Sequence, residues 1–400
     1  MTKPLADLWL HRFAVLTAVL TLALLAIGGL VTSHGVGLAV PDWPNSYGYN
    51  MFMFPVSNWV GGILYEHTHR LVATFVGLLT TVLALWLWVR ETRNQERWFG
   101  VSAIALVFLL MGARILPVYI ALAALAPLAV ALSFYQLRHN PTSLRWWGII
   151  AFAAVILQGV LGGLRVVWLK DQIGIFHATL AQLFFALICF IVLSTSRWKW
   201  NVAVPQTHSA VLRALLRATT LLILLQLIVG ATMRHQHAGL AIPDFPFAYG
   251  KIWPAMDSAS IAQYNQHRQE TVALNPITAA QISLHMSHRL LAFLICALVF
   301  SCALAALKKL GVSHFLTRLT LAWSGLILAQ VFLGAATVLT GKAADIATLH
   351  VISGALALAL GTILCILSGR SPVLARTTEK REALPPAPFG VKPSAATGFK

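Results

Sequence analysis

Acidic residues are scarce in this chain. Of 400 residues, 12 are Asp or Glu, and charged residues of both signs make up 10% of the total. A soluble globular domain carries about a quarter charged residues, so this composition excludes one. Cysteine is also sparse. The four cysteines, Cys189, Cys296, Cys302 and Cys365, all fall inside long apolar runs. That placement excludes a loop disulfide framework and a thiolate metal centre. What the chain has instead is apolar sequence, 58% of it hydrophobic, in recurring runs long enough to cross a hydrocarbon core of about 30 Å as helices.

Apolar runs predict about ten spans, near 13–33, 63–89, 98–113, 117–136, 146–168, 173–195, 213–233, 281–307, 317–340 and 345–368. The fold class expected is an all-α polytopic membrane protein. The formal charge is +17, from 29 Lys and Arg. In a soluble chain that would suggest nucleic acid; here twenty of the 29 fall at one set of loop ends and in the tail. The positive-inside rule makes that side cytoplasmic, with both termini inside, and no nucleic-acid partner is expected. Met1 to His11 shows neither a cleavable apolar core nor an Arg/Ser-rich transit segment. The expected home is a bacterial inner membrane, and the Pro- and Ala-rich stretch 371–400 reads as a disordered cytoplasmic tail.

The chain repeats itself. Val36-Gly37-Leu38-Ala39-Val40-Pro41-Asp42-Trp43-Pro44 recurs as Ala238-Gly239-Leu240-Ala241-Ile242-Pro243-Asp244-Phe245-Pro246, each copy following a span and each followed by Tyr-Gly. Glu66-His67-Thr68-His69-Arg70 has its counterpart in His285-Met286-Ser287-His288-Arg289. Gln158 and Gly162 ahead of His177 match Gln330 and Gly334 ahead of His350. This predicts two tandem, repeat-related four-helix bundles, 1–200 and 201–370. The pair of spans near 98–136 has no counterpart and reads as an insertion into the first.

His69, His177, His288 and His350 each lie roughly five to eight residues inside the outer end of a span, about 8–12 Å deep at 1.5 Å per residue. Two facing histidines in a four-helix bundle can hold a heme between axial imidazoles. The pairs are His69 with His177, and His288 with His350. A set of interhelical hydrogen bonds explains one such histidine better than four at repeat-related positions. Glu66 stands one turn outward of His69, where the second half has His285. A carboxylate on one side alone suggests a reaction centre, with Glu66 as base, proton relay or charge stabiliser. Arg70 and Arg289, with Arg165 and Arg234 near outer helix ends, are candidates for propionate carboxylates. Asp42 and Asp244 read as turn or cap residues. His34, His67, His235, His237 and His267 fall in or near outer loops; His11, His139, His208 and His314 fall on the basic side.

The Gly37…Pro41-Asp42-Trp43-Pro44 loop, Glu66-His67-Thr68-His69-Arg70, Phe176-His177-Ala178-Thr179, His288-Arg289 and Leu349-His350 together resemble the heme A synthase family. The resemblance covers nearly the whole chain outside 98–136 and the tail. It implies an oxidoreductase that converts the C8 methyl of heme O to a formyl by successive hydroxylations, giving heme A for terminal oxidases. It implies His288 and His350 as ligands of a resident heme b, His69 and His177 as ligands of the substrate heme, and Glu66 as the catalytic carboxylate. The partners implied are heme O synthase and terminal oxidase assembly factors, besides membrane lipid; a homo-oligomer is left open. Many members carry a cysteine pair in the first outer loop, and this chain has none there. The alternative is a diheme membrane cytochrome for quinone-linked electron transfer, which leaves the one-sided Glu66 unexplained. A transporter with parallel repeats fits less well, because the histidines cluster toward one surface.

Overall fold

The computed structural model describes residues 8–196, 209–267 and 276–369. The expected tail at 371–400 and His208 lie outside these residues. The described chain is a set of α-helices: α1 Leu8–Ser33, α2 Gly61–Glu91, α3 Asn94–Leu110, α4 Leu116–His139, α5 Leu144–Trp168, α6 Asp171–Thr195, α7 Ser209–His235, α8 Ser258–Gln266, α9 Ala279–Leu310, α10 Phe315–Leu339 and α11 Ala344–Ser368. A two-residue hairpin, β1 Asn45–Ser46 and β2 Tyr49–Asn50, folds the first outer loop.

The helix ends follow local chemistry. At α9, Thr278 and Gln281 form a reciprocal capping box at the start; Lys308 and Lys309 stand in the last turn, and Gly311 follows. Each device satisfies or complements terminal backbone groups. Asp171 and Asp345 stand in the first turns of α6 and α11, where the helix dipole favours a negative charge. Pro117 sits in the first turn of α4, where no N–H is needed.

Nine of the described helices are long and apolar enough to cross a membrane, and the chain is a multi-pass membrane protein. The tenth expected span, near 98–113, is present as α3 but is short. Its 17 residues rise about 25 Å, and its first turn is the polar run Asn94-Gln95-Glu96-Arg97. Helix α3 is tied to its surroundings by Trp88, whose indole lies against Gly100 and donates to the Glu96 carbonyl at 3.3 Å. Arg145 pairs with Glu96 at 2.6 Å.

Helices α1, α2, α5 and α6 pack against one another, as do α7, α9, α10 and α11; the two groups meet where α6 touches α7 and α11 touches α1 and α6. The inserted pair α3–α4 packs on the outside of the first group, mainly through α4 against α5. One end of the molecule gathers Glu91 with Ser143, and His11 with Thr195. The other gathers Ser33 with Arg234, and Gln281 with the Gln236 carbonyl. This second end carries both repeat loops.

Candidate functional site

The two loops fold in the same way. Asp42 accepts the backbone N–H groups of Tyr47 and Gly48 at 2.7 and 2.8 Å; Asp244 does the same for Tyr249 and Gly250. Tyr47 and Tyr249 donate their hydroxyls to the Ala39 and Ala241 carbonyls. Tyr47 and Tyr249 both have positive φ, and so do the glycines after them, Gly48 and Gly250, which explains the recurring Tyr-Gly. These aspartates are the turn residues expected.

Arg70 and Arg289 hold these loops down. The Arg70 guanidinium donates to the carbonyls of Val40, Asp42 and Asn45 and to Glu66 Oε1 at 2.8 Å. Arg289 donates to the Asp244 and Phe247 carbonyls and lies over the Phe245 ring. Both arginines are thus engaged by loop backbone. Glu66 is buried and closes the same knot: its second oxygen accepts the Val40 N–H at 2.9 Å. His285, in the corresponding place of the second group, is buried with an unpartnered Nδ1.

Below the loops lie the four histidines, and each rests on a glycine of a neighbouring helix. His69 on α2 meets Gly28 of α1; His177 on α6 meets Gly162 of α5; His288 on α9 meets Gly230 of α7; His350 on α11 meets Gly334 of α10. A Cβ at these glycines would stand 2.9, 3.2, 3.3 and 3.3 Å from the imidazole Cε1. Any other residue would push the ring away. His69 lies within electrostatic range of His177, and His288 of His350, so the expected pairs are brought together.

In all four rings Nδ1 is buried without a hydrogen bond, while the residue as a whole keeps some accessible surface. The Nε2 side is therefore the open one. The rings of His177 and His350 face the backbone carbonyls of Gln158 and Gln330 without reaching hydrogen-bond geometry. Those carbonyls are uncovered because the residue one turn on is a glycine. An imidazole that turns Nδ1 toward a carbonyl and Nε2 into an open space is arranged as an axial ligand. The residues fit a planar group held from both faces, one in each helix group. Among the described residues no cluster of three or more His, Cys, Asp or Glu stands ready for a lone metal ion.

Sequence reasoning missed Gly28 and Gly230. The available signal was the repeat itself, since the same spacing that relates the two loop motifs relates these two glycines. It also placed His67 and His235 loosely among outer loops. Both are buried: His67 bonds Ser46 Oγ at 3.1 Å and lies between the Phe54 and Trp59 rings, and the His235 ring rests on Gly174.

The inserted pair reaches this end too. Trp43, from the first loop, lies over Gly163 and packs against Tyr119 of α4 at 4.5 Å between ring centroids. The Tyr119 hydroxyl donates to the Met111 carbonyl and accepts the Arg114 N–H, closing the α3–α4 turn. A rim cleft of about 440 Å³ opens between this loop and the end of α5, lined by Leu38, Pro41, Trp43, Val166 and Val167 among others.

The family model described as cytochrome oxidase assembly protein, COX15-CtaA, matches residues 108–362, well over half the chain. Similar proteins include the heme A synthase of Shewanella oneidensis, 25% identical over 382 residues that cover 90% of this chain and 94% of the relative. The heme A synthase of Geobacillus kaustophilus is 24% identical, covering 94% and 98%, and that of Shouchella clausii is 24% identical, covering 66% and 72%. The two longer matches take in both histidine pairs and both loops. By these matches the chain belongs to the cytochrome oxidase assembly family that contains the heme A synthases.

Proposed function

We propose that this protein is a heme A synthase, oxidising the C8 methyl of heme O to a formyl by successive hydroxylations. His69 and His177 hold the substrate; His288 and His350 hold a resident heme b. The observation that carries this reading is the set of four imidazoles, each laid against a glycine with its Nε2 side open. The direction of the asymmetry follows from Glu66, a buried carboxylate in the first group where the second has His285. Residues 1–200 are then the substrate half and 201–370 the resident half, in a bacterial inner membrane with both termini cytoplasmic. Heme O synthase supplies the substrate, and terminal oxidase assembly factors receive the product.

Methyl to formyl is a four-electron oxidation: R–CH3 plus H2O gives R–CHO plus four protons and four electrons. The bound resident heme supplies a one-electron redox partner within the same chain. The protein's own part is to seat the ring, limit water and move protons. Glu66 is placed for the last. Each of its oxygens accepts one hydrogen bond in the structure, from Arg70 and from the Val40 N–H, and each keeps a second lone pair for a water or a released proton. Arg70 joins this carboxylate to three carbonyls of the outer loop, so the loop and the candidate base are set by one guanidinium.

The test is heme extraction from cells that also make heme O. Wild type should accumulate heme A. Glu66→Gln, which keeps the shape, should lower conversion by about 10²–10⁴-fold while leaving the low-spin bis-imidazole spectrum in place. Wild-type protein that carries two hemes b and leaves heme O unchanged would be a diheme cytochrome instead.

A further inference from the structure

Two buried arginines stand where the helix groups meet. Arg165 is in the last turn of α5, one turn outward of Gly162, the glycine that takes His177. Its guanidinium lies on the loop backbone at Gly37, where a Cβ would be 2.9 Å from both Nη atoms. Among the described residues it makes no hydrogen bond and no ion pair. Arg234 is in the last turn of α7, one turn outward of Gly230, the glycine that takes His288. Its Nη2 crosses to α1, donating to the Gly29 carbonyl at 2.7 Å and to Ser33 Oγ at 2.5 Å; Nη1 and Nε have no acceptor among the described residues.

The two guanidiniums lie within electrostatic range of each other. Arg165 also faces His69, His177 and His235, and Arg234 faces His235 and His350. The pair therefore stands between the two sets of imidazoles. The acids that feel Arg165 are Glu66 and Asp171. Neither is within ion-pair distance, and both Glu66 oxygens already accept from Arg70 and Val40. Two desolvated cations side by side are unfavourable unless an anion joins them. A guanidinium fork matches a carboxylate, and both forks point from the helix turn just above the imidazoles.

We propose that Arg165 and Arg234 form a carboxylate-binding site on the seam between the two helix groups, filled by a ring carboxylate of a tetrapyrrole seated on the histidines. The inference rests on the bis-imidazole reading above but not on the oxidation. The carboxylate can come from the ring on His69 and His177 or from the ring on His288 and His350. In either case it neutralises both arginines, so loading one group stabilises the seam that the other shares.

The experiment uses full-length protein made in heme-deficient cells and titrated with hemin or with hemin dimethyl ester, whose carboxylates are blocked. Binding is followed by the low-spin Soret band. His288→Ala restricts the readout to the first group, and His69→Ala to the second. Hemin should bind about ten- to a hundredfold more tightly than the diester. Arg165→Gln should erase most of that preference, and Arg165→Lys should keep part of it. Loss of the preference in one background names the ring that supplies the carboxylate; loss in both makes the site shared. Equal weakening of hemin and diester would mean that the arginines only support the fold, and would overturn the proposal. So would an unchanged preference in both Arg165→Gln and Arg234→Gln. If neither compound binds to any form, the bis-imidazole reading falls as well; if both bind and heme O is never oxidised, the oxidation alone falls.

Discussion

At the scale of single residues, the site is made as much by missing side chains as by present ones. Four glycines set the positions of four imidazoles, and their contact distances rank the consequences of filling them. Gly28→Ala places a methyl 2.9 Å from His69 Cε1, inside normal contact, so the ring must turn. Gly334→Ala places one 3.3 Å from His350 Cε1, which a small shift relieves. Overpacking costs about 1–3 kcal/mol, so Gly28→Ala should weaken tetrapyrrole binding at the first site by about tenfold or more. Gly334→Ala should change the second site less; reversed ranks in a Soret titration would contradict the contact geometry. The histidines themselves were legible in the sequence, because imidazoles inside apolar runs stand out and recur. The glycines facing them were only half legible. Gly162 and Gly334 were noticed as repeat partners, whereas Gly28 and Gly230 look like any small residue in a span, since a contact between helices leaves no mark along one of them. The arginines show the opposite problem. A lone Arg near a helix end reads as a candidate anion contact, but Arg70 and Arg289 bond to loop carbonyls that no one-dimensional pattern could have paired with them.

At the scale of elements, each repeat loop is a rigid piece fastened to one long helix. The Asp-to-backbone bonds, the Tyr hydroxyl and the Arg forks recur in both copies. Asp42→Ala removes two charge-assisted acceptors from partly exposed N–H groups and should destabilise the first loop by about 1–2 kcal/mol. The check is limited proteolysis: cleavage within 34–60 should accelerate while cleavage of the second loop stays as in wild type. Gly163→Ala should act on the same loop from below, since a Cβ there would stand 2.1 Å from the Trp43 ring; it should quench or shift Trp43 fluorescence. In the second group the core depends on Trp323, which has no exposed surface and donates to the Ala357 carbonyl at 2.9 Å. Trp323→Ala should lower stability by about 3–5 kcal/mol, measured by thermal or denaturant unfolding in detergent. Long apolar helices were readable from hydropathy within a few residues. Helix α8 was not, because nine polar-leaning residues carry no span signal. It is fixed by Asp257 at its start and by Tyr264 stacked on Tyr249 with ring centroids 3.6 Å apart.

At the scale of the whole molecule, the two ends differ in chemistry. The end with Glu91, Ser143 and Thr195 borders the arginine-rich connections, and the opposite end holds both loops, both paired arginines and α8. Cysteines introduced at Asp42 and Asp257 should therefore react with an impermeant maleimide from one side of the membrane, and cysteines at Arg93 and Asn140 from the other. Labelling of Asp42 and Arg93 from the same side would mean that α2 does not cross. The arrangement also requires α3 to complete a crossing with 17 residues, whereas α4 has 24. Charge placement alone had predicted the even count but could not show that one of the ten would be short.

The two loops, alike in every internal bond, are braced by different outsiders. The first leans through Trp43 on Tyr119 of the inserted pair; the second leans through Tyr249 on Tyr264 of α8. Neither brace belongs to the four-helix unit it steadies, and neither has a copy in the other half. A duplicated scaffold has thus received two unrelated adjusters, each reaching one loop alone. Selection, or an engineer, can retune the cover of one chamber through a single aromatic contact and leave the other chamber untouched.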